Sequence, residues 1–138
     1  MANIVTTTKL SENVNEIVFA FQLQFVDTGD ESAVTKVDVS TLLNDSNGNA
    51  CTGLRILECT WVIKAMTVMV MAGADVNVIM LHLDENQSGY VDYSSVGGLP
   101  NTKSYGANGT GDVKFTTTGL GATGDMYQIV IRFAKKYN

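Results

Sequence analysis

The chain has 138 residues, enough for one domain that buries about two thirds of the surface its unfolded form exposes, so neither a disulfide framework nor a metal is needed to staple it. Fourteen Asp and Glu against nine Lys and Arg leave a net charge of −5 with no basic run, which argues against nucleic acid as a partner. With 45% hydrophobic residues, 13 glycines and a single proline beside many threonines and valines, the composition favours strands joined by glycine turns.

The opening MANIVTTTKLSENV has no basic start followed by an apolar run, so synthesis in a cytoplasm without secretion is expected. Within it, Asn3 to Thr8 is β-prone and carries two readings of equal weight. It is either an N-terminal arm, within residues 1–14, that reaches a neighbouring subunit, or an ordinary edge strand of the same domain. From Ile17 to Phe25 the apolar Ile17, Phe19, Phe21, Leu23 and Phe25 recur at period two, which predicts a strand with an aromatic-rich buried face. Ala33 to Val39 alternates as well, with Val37 and Val39 inward and Lys36 and Asp38 outward. The intervening Asp27-Thr28-Gly29-Asp30 reads as the turn of a hairpin. Asn44 to Asn49 is a polar loop around Asn47-Gly48.

Strands are expected over Leu54 to Ala65, Thr67 to Met71 and Val76 to Leu83, apolar on both faces in places, as suits a covered sheet or a subunit contact. Met66, Met69, Met71 and Met80 read as core filler. Trp61 to Leu83 is long enough to raise a membrane span, but Lys64, Asp75 and the Gly73-Ala74-Asp75 turn argue for two buried strands and no membrane partner. After a glycine-rich stretch come Val113 to Thr118 and Met126 to Phe133; in the latter Tyr127, Ile129, Ile131 and Phe133 face inward, Gln128 and Arg132 outward. Short strands at regular spacing, without a helical period, predict a single all-β domain over residues 1–138: an antiparallel β-sandwich, jelly-roll-like, with Phe19, Phe21, Trp61, Ile129 and Ile131 in its core.

The motifs that carry chemistry each meet a physical objection. Asp84, Asn86, Ser88, Gly89 and Asp92 occupy positions 1, 3, 5, 6 and 9 of a calcium loop, but position 12 is Ser95 rather than a bidentate Glu, and a strand rather than a helix precedes. A polar turn with Ser88-Gly89 at its apex is the better reading, with weak calcium binding as the alternative. Gly119 to Gly124 spells GxGxxG, yet a strand follows it where a dinucleotide site needs the N-terminus of a helix. The single histidine, His82, lies between Leu81 and Leu83 and reads as a core or interface imidazole; with Asp92, Ser94 and Ser95 it makes no recognisable nucleophile motif. Cys51 and Cys59 lack zinc or CxxC spacing; they are geometrically free to pair, although reduced structural thiols are expected. Arg132, Lys135 and Lys136 read as solvated charges, and Asn108-Gly109-Thr110 as a loop rather than a glycosylation site. No catalytic, cofactor-binding or metal-binding residue is assigned, and enzymatic activity is not expected.

In the C-terminal part, Gly97-Gly98-Leu99, then Gly111-Asp112-Val113-Lys114-Phe115-Thr116-Thr117, then Gly124-Asp125-Met126-Tyr127-Gln128-Ile129-Val130-Ile131, resembles small virion proteins of tailed bacteriophages of the capsid decoration (cement) type. The resemblance spans roughly residues 75–138. It implies a jelly-roll or sandwich module on the capsid surface that stabilises the shell by bridging major capsid subunits, with self-association in a symmetric assembly, and it transfers no individual binding residue. Two rivals are a carbohydrate-recognition module for a host surface, using Tyr90, Tyr93 and Tyr105 beside Asn101 and Asn108, and a tail or neck structural protein of the same virion.

Overall fold

Period-two alternation of apolar residues organises the whole chain. In the computed structural model, which describes residues 3–26, 30–84, 86–119 and 124–137, the strands are β1 (Ile4–Glu12), β2 (Glu16–Gln24), β3 (Val34–Val37), β4 (Cys51–Lys64), β5 (Thr67–Ala72), β6 (Val78–Leu83), β7 (Ser88–Asp92), β8 (Val113–Thr118) and β9 (Met126–Tyr137). They form two antiparallel sheets, ordered β1-β2-β9-β4-β7 and β3-β8-β5-β6. Apart from the β1–β2 and β5–β6 hairpins, each successive strand lies in the opposite sheet. With β1 set aside, the two four-stranded layers have the strand order of a jelly roll.

The inner faces meet in an aromatic core. Phe21 lies edge-on to Phe115 with ring centroids 4.9 Å apart, Phe115 meets Tyr127 at 5.8 Å, and Phe19 meets Phe133 at 6.5 Å, so rings from β2, β8 and β9 bind the layers together. Phe19, Phe21, Ile129 and Ile131 are buried as expected; Trp61 packs on the same core but is only half-buried, near the edge strand β7. Beneath its ring lies Gly89, where a Cβ would sit 2.5 Å from Trp61 Cζ2. Only glycine leaves room for the indole there.

Several expectations change. Ser88-Gly89 is no turn apex but the start of β7, paired with Val62 and Trp61. The segments around β2 and β3 are not a hairpin: they belong to different sheets, and of the expected turn Asp27, Thr28 and Gly29 lie outside the described residues. Lys36 does not point outward. The β3–β8 register slips between Thr35 and Val37, and this bulge turns Lys36 inward, leaving its side chain 4% exposed beside Glu31 and over the Phe115 ring. The apolar stretch Trp61 to Leu83 resolves into the end of β4, the core strand β5 and the mostly half-buried or exposed β6, with Gly73, Ala74 and Asp75 in the β5–β6 connection. Among the described residues no helix is long and apolar enough to cross a membrane.

Candidate assembly surfaces

Of the two readings of the N-terminus, residues 4–12 form an edge strand of the same sheet, paired with β2 from Ile4↔Gln24 to Glu12↔Ile17. It is an unusual edge. Sheet one carries this fifth strand where sheet two has four, so even the residues whose β2 partners are buried, Val5 opposite Leu23 and Thr7 opposite Phe21, stay exposed. Both faces of β1 therefore meet water, with Ile4 and Leu10 each 55% exposed. Its two ends are fixed. Asn3 Oδ1 accepts from the Val26 amide at 3.0 Å, and at the other end Glu12 receives Lys135, Lys9 and the Leu43 amide.

The other edges are guarded in ways that discourage pairing with another chain. β3 has four residues and a bulge, β7 has five residues, and β6 has six with Met80 left over where its register to β5 slips. β1 has nine, with regular register from Ile4 to Lys9 and no proline. Its one lysine is turned back on Glu12 at 2.8 Å rather than held out as a guard.

A second uncovered surface is the outer face of sheet two. On β5, Val68, Val70 and Ala72 fill the core, so alternation sends Met69 and Met71 outward, where their cross-strand neighbours on β6 are His82 and Ile79. Ile79 is 50% exposed and Val76, at the tip of that hairpin, 79%. Met69 and Met71 thus face outward, Met66 is core filler, and Met80 is partly buried against the core. The signal was present in the alternation of Thr67, Met69 and Met71 against Val68, Val70 and Ala72.

The expected chemical motifs do not converge. Because β7 is extended, Ser88 and Asp92 stand about 13 Å apart along it. Asn86 Oδ1 is occupied by the Ala65 amide at 3.0 Å, Asp92 by the Ser94 amide at 2.8 Å, and the Ser94 contacts hold the Asp92 carboxyl below its usual range. Asp84 instead faces His82 at 3.3 Å, both exposed. His82 is therefore not a core residue, and it lies on sheet two while Asp92 ends a strand of sheet one. Among the described residues no group of three or more His, Cys, Asp or Glu could hold a metal ion. Within the GxGxxG run, residues 120–123 lie outside the described residues, and β9 follows it as a strand. Of the tyrosines and amides suited to sugar, Asn101 caps a turn through the Lys103 amide, Asn108 donates to Asp75 at 2.6 Å, and Tyr90 stands on the outer face of sheet one while Tyr105 lies beside Tyr93 and Arg55.

Polar groups inside the sandwich serve the fold. Lys135 is not solvated: its Nζ donates to Glu12 Oε2 at 2.7 Å and to the Leu43 carbonyl at 3.0 Å, with the side chain wholly buried. At the opposite end Glu31 accepts from Lys36 and from the Tyr127 hydroxyl at 2.7 Å. Cys51 and Cys59 lie on one strand roughly 25 Å apart, so they cannot pair, and burial pushes the Cys59 thiol up to about 12. A half-open cleft of about 260 Å³, where Ile4, Gln24 and Met126 meet, is below the usual size of a small-molecule site. The chain matches no protein-family model, no curated protein and no solved structure.

Proposed function

We propose that this protein is a structural component of a phage virion that decorates the capsid surface and stabilises it by bridging major capsid subunits. One observation carries the reading. The free edge of β1 and the outer face where Met69, Met71 and Ile79 stand among His82, Lys114 and Thr116 belong to different sheets, so one small rigid body can touch two neighbours at once. Bridging requires such a pair of separated surfaces, and the stabilisation it brings comes from area buried across subunit boundaries rather than from chemistry. The methionine-bearing face suits a shell because flexible thioethers adapt to a partner surface. Net negative charge keeps the free protein dispersed until it meets its lattice.

The amides that a carbohydrate-recognition module would use, Asn101 and Asn108, are engaged within the chain, which weighs against that rival. Quantitative mass spectrometry of purified particles tests the proposal. A copy number in simple proportion to the major capsid protein is expected. A handful of copies per particle would move the protein to the tail or neck, and absence from particles would end the reading.

A further inference from the structure

We infer that a second copy of this chain docks on the free edge of β1, antiparallel, about a two-fold axis that sets Thr7 opposite Thr7 of its mate and joins the two five-stranded sheets into one. The free edges differ: β3, β6 and β7 have four to six residues and two of them are bulged, whereas β1 has nine residues, regular from Ile4 to Lys9, with its own bulge at Leu10 near the far end. Such an edge is completed by another strand, and the sequence of β1 is complementary to itself.

A two-fold axis perpendicular to a sheet keeps each side chain on its own face, so residues of the same parity must meet. Three registers are then within reach, centred on Thr6, Thr7 or Thr8. Centring on Thr8 leaves only Thr7 and Lys9 to pair inside the regular run Ile4–Lys9, and centring on Thr6 pairs Ile4 with Thr8 and carries the exposed Leu10 beyond the paired residues. Centring on Thr7 pairs Thr6 with Thr8 and Val5 with Lys9 inside the regular run and brings Ile4 towards the bulged Leu10. The two most exposed apolar residues of the strand then lie at the same end of the paired run, and the threonines form cross-strand pairs of a favourable kind. Lys9 presents no opposing charge, since its ammonium is held by Glu12 and its stem lies beside Val5.

A contact of this length buries less than the roughly 1,200 Å² of a stable interface, so the free protein should self-associate weakly and gain from multivalency on a surface. The pairing gives the β1 edge to a second copy, so bridging of a shell would then run through the two outer sheet-two faces of the pair; it involves only this chain, is tested without a shell, and stands or falls separately from shell binding. Sedimentation analysis of the purified protein between about 10 µM and 1 mM should show mass rising from monomer towards dimer, as expected for so small an interface. Thr7→Lys and Thr7→Glu each place like charges across the axis and should weaken association at least ten-fold while circular dichroism and melting stay unchanged, because Thr7 is exposed. Mixed in equal amounts, the two variants should associate again. A third variant, Thr7→Cys, should form a cross-linked dimer on mild oxidation, with the buried Cys51 and Cys59 not competing. A wild type that stays monomeric throughout, charge variants that associate as wild type does, or a folded cysteine variant that fails to cross-link would each overturn the inference.

Discussion

The ammonium of Lys135 meets the carboxylate of Glu12 at 2.7 Å, with their side chains 0% and 3% exposed, so the last strand is clamped to the end of the first by an ion pair held out of water. The pair also gathers the carbonyls of Asn13 and Leu43, which fastens the β1–β2 turn and the segment after β3 to β9. Breaking it by Lys135→Met leaves the Glu12 carboxylate with Lys9 and the Leu43 amide alone and should cost about 1–3 kcal/mol. The check is chemical denaturation of the single variant against the double variant with Glu12→Leu, whose loss should be smaller than the sum of the two singles.

The same clamp makes stability depend on acid. Burial raises the Glu12 carboxyl, but hydrogen bonds from Lys135, Lys9 and the Leu43 amide outweigh it and hold the group at about 2, below its ordinary 4.5. A carboxyl depressed in the folded state contributes fully above about pH 4.5 and loses that contribution as pH falls towards 2. Melting temperature should therefore drop through this window, by a loss of roughly 2–3 kcal/mol. A Glu12→Gln variant should show a shallower decline.

Gly89 lies under the indole of Trp61, so Gly89→Val should push the ring out of place and cost about 1–3 kcal/mol by overpacking. Trp61 is the one tryptophan, which makes its fluorescence a direct readout of the displacement. Trp61 Nε1 is buried without a hydrogen-bond partner among the described residues, so Trp61→Phe should cost less than truncation of a fully buried ring such as Phe115→Leu.

Cys51 and Cys59 should resist a thiol reagent in the native state and react in full on unfolding, because both are buried and the Cys59 thiol is pushed up to about 12. Rapid labelling of the folded protein would contradict this. Calcium should leave the melt unchanged relative to chelator, since the oxygens of Asp84, Asn86 and Asp92 point to separate partners; a rise of many degrees at micromolar calcium would reverse that conclusion.

How far the sequence revealed these features depended on whether side-chain parity told the two faces apart. β2 and β9 were readable because large apolar residues recur on one face with smaller or polar ones on the other. β7 was hidden because its inward positions include a glycine that makes room for a distant tryptophan, so no alternation survived to oppose the turn-like Ser88-Gly89. Lys36 was misplaced because a bulge shifts parity by one, and a bulge is decided by pairing with β8, not by local sequence. Lys135 was legible in principle: it follows Tyr127, Ile129, Ile131 and Phe133 at the same parity, but a lysine near a chain end reads as solvated until its partner across the fold, Glu12, is in place. Nor does adjacency in sequence tell which sheet a strand joins, which is why β2 and β3 read as a hairpin.

Binding of the purified protein to undecorated capsid shells tests the central claim most directly. A bound subunit stabilises only the state it recognises, by RT ln(1 + [L]/Kd), and many copies make modest gains cumulative. Shells incubated with micromolar protein should retain it on sedimentation and withstand heat or osmotic shock better than bare shells. A surface variant carrying Met71→Glu and Ile79→Glu should fold normally yet bind and protect less. Failure of the wild type to bind such shells at micromolar concentration, with binding instead to host polysaccharide, would contradict the account.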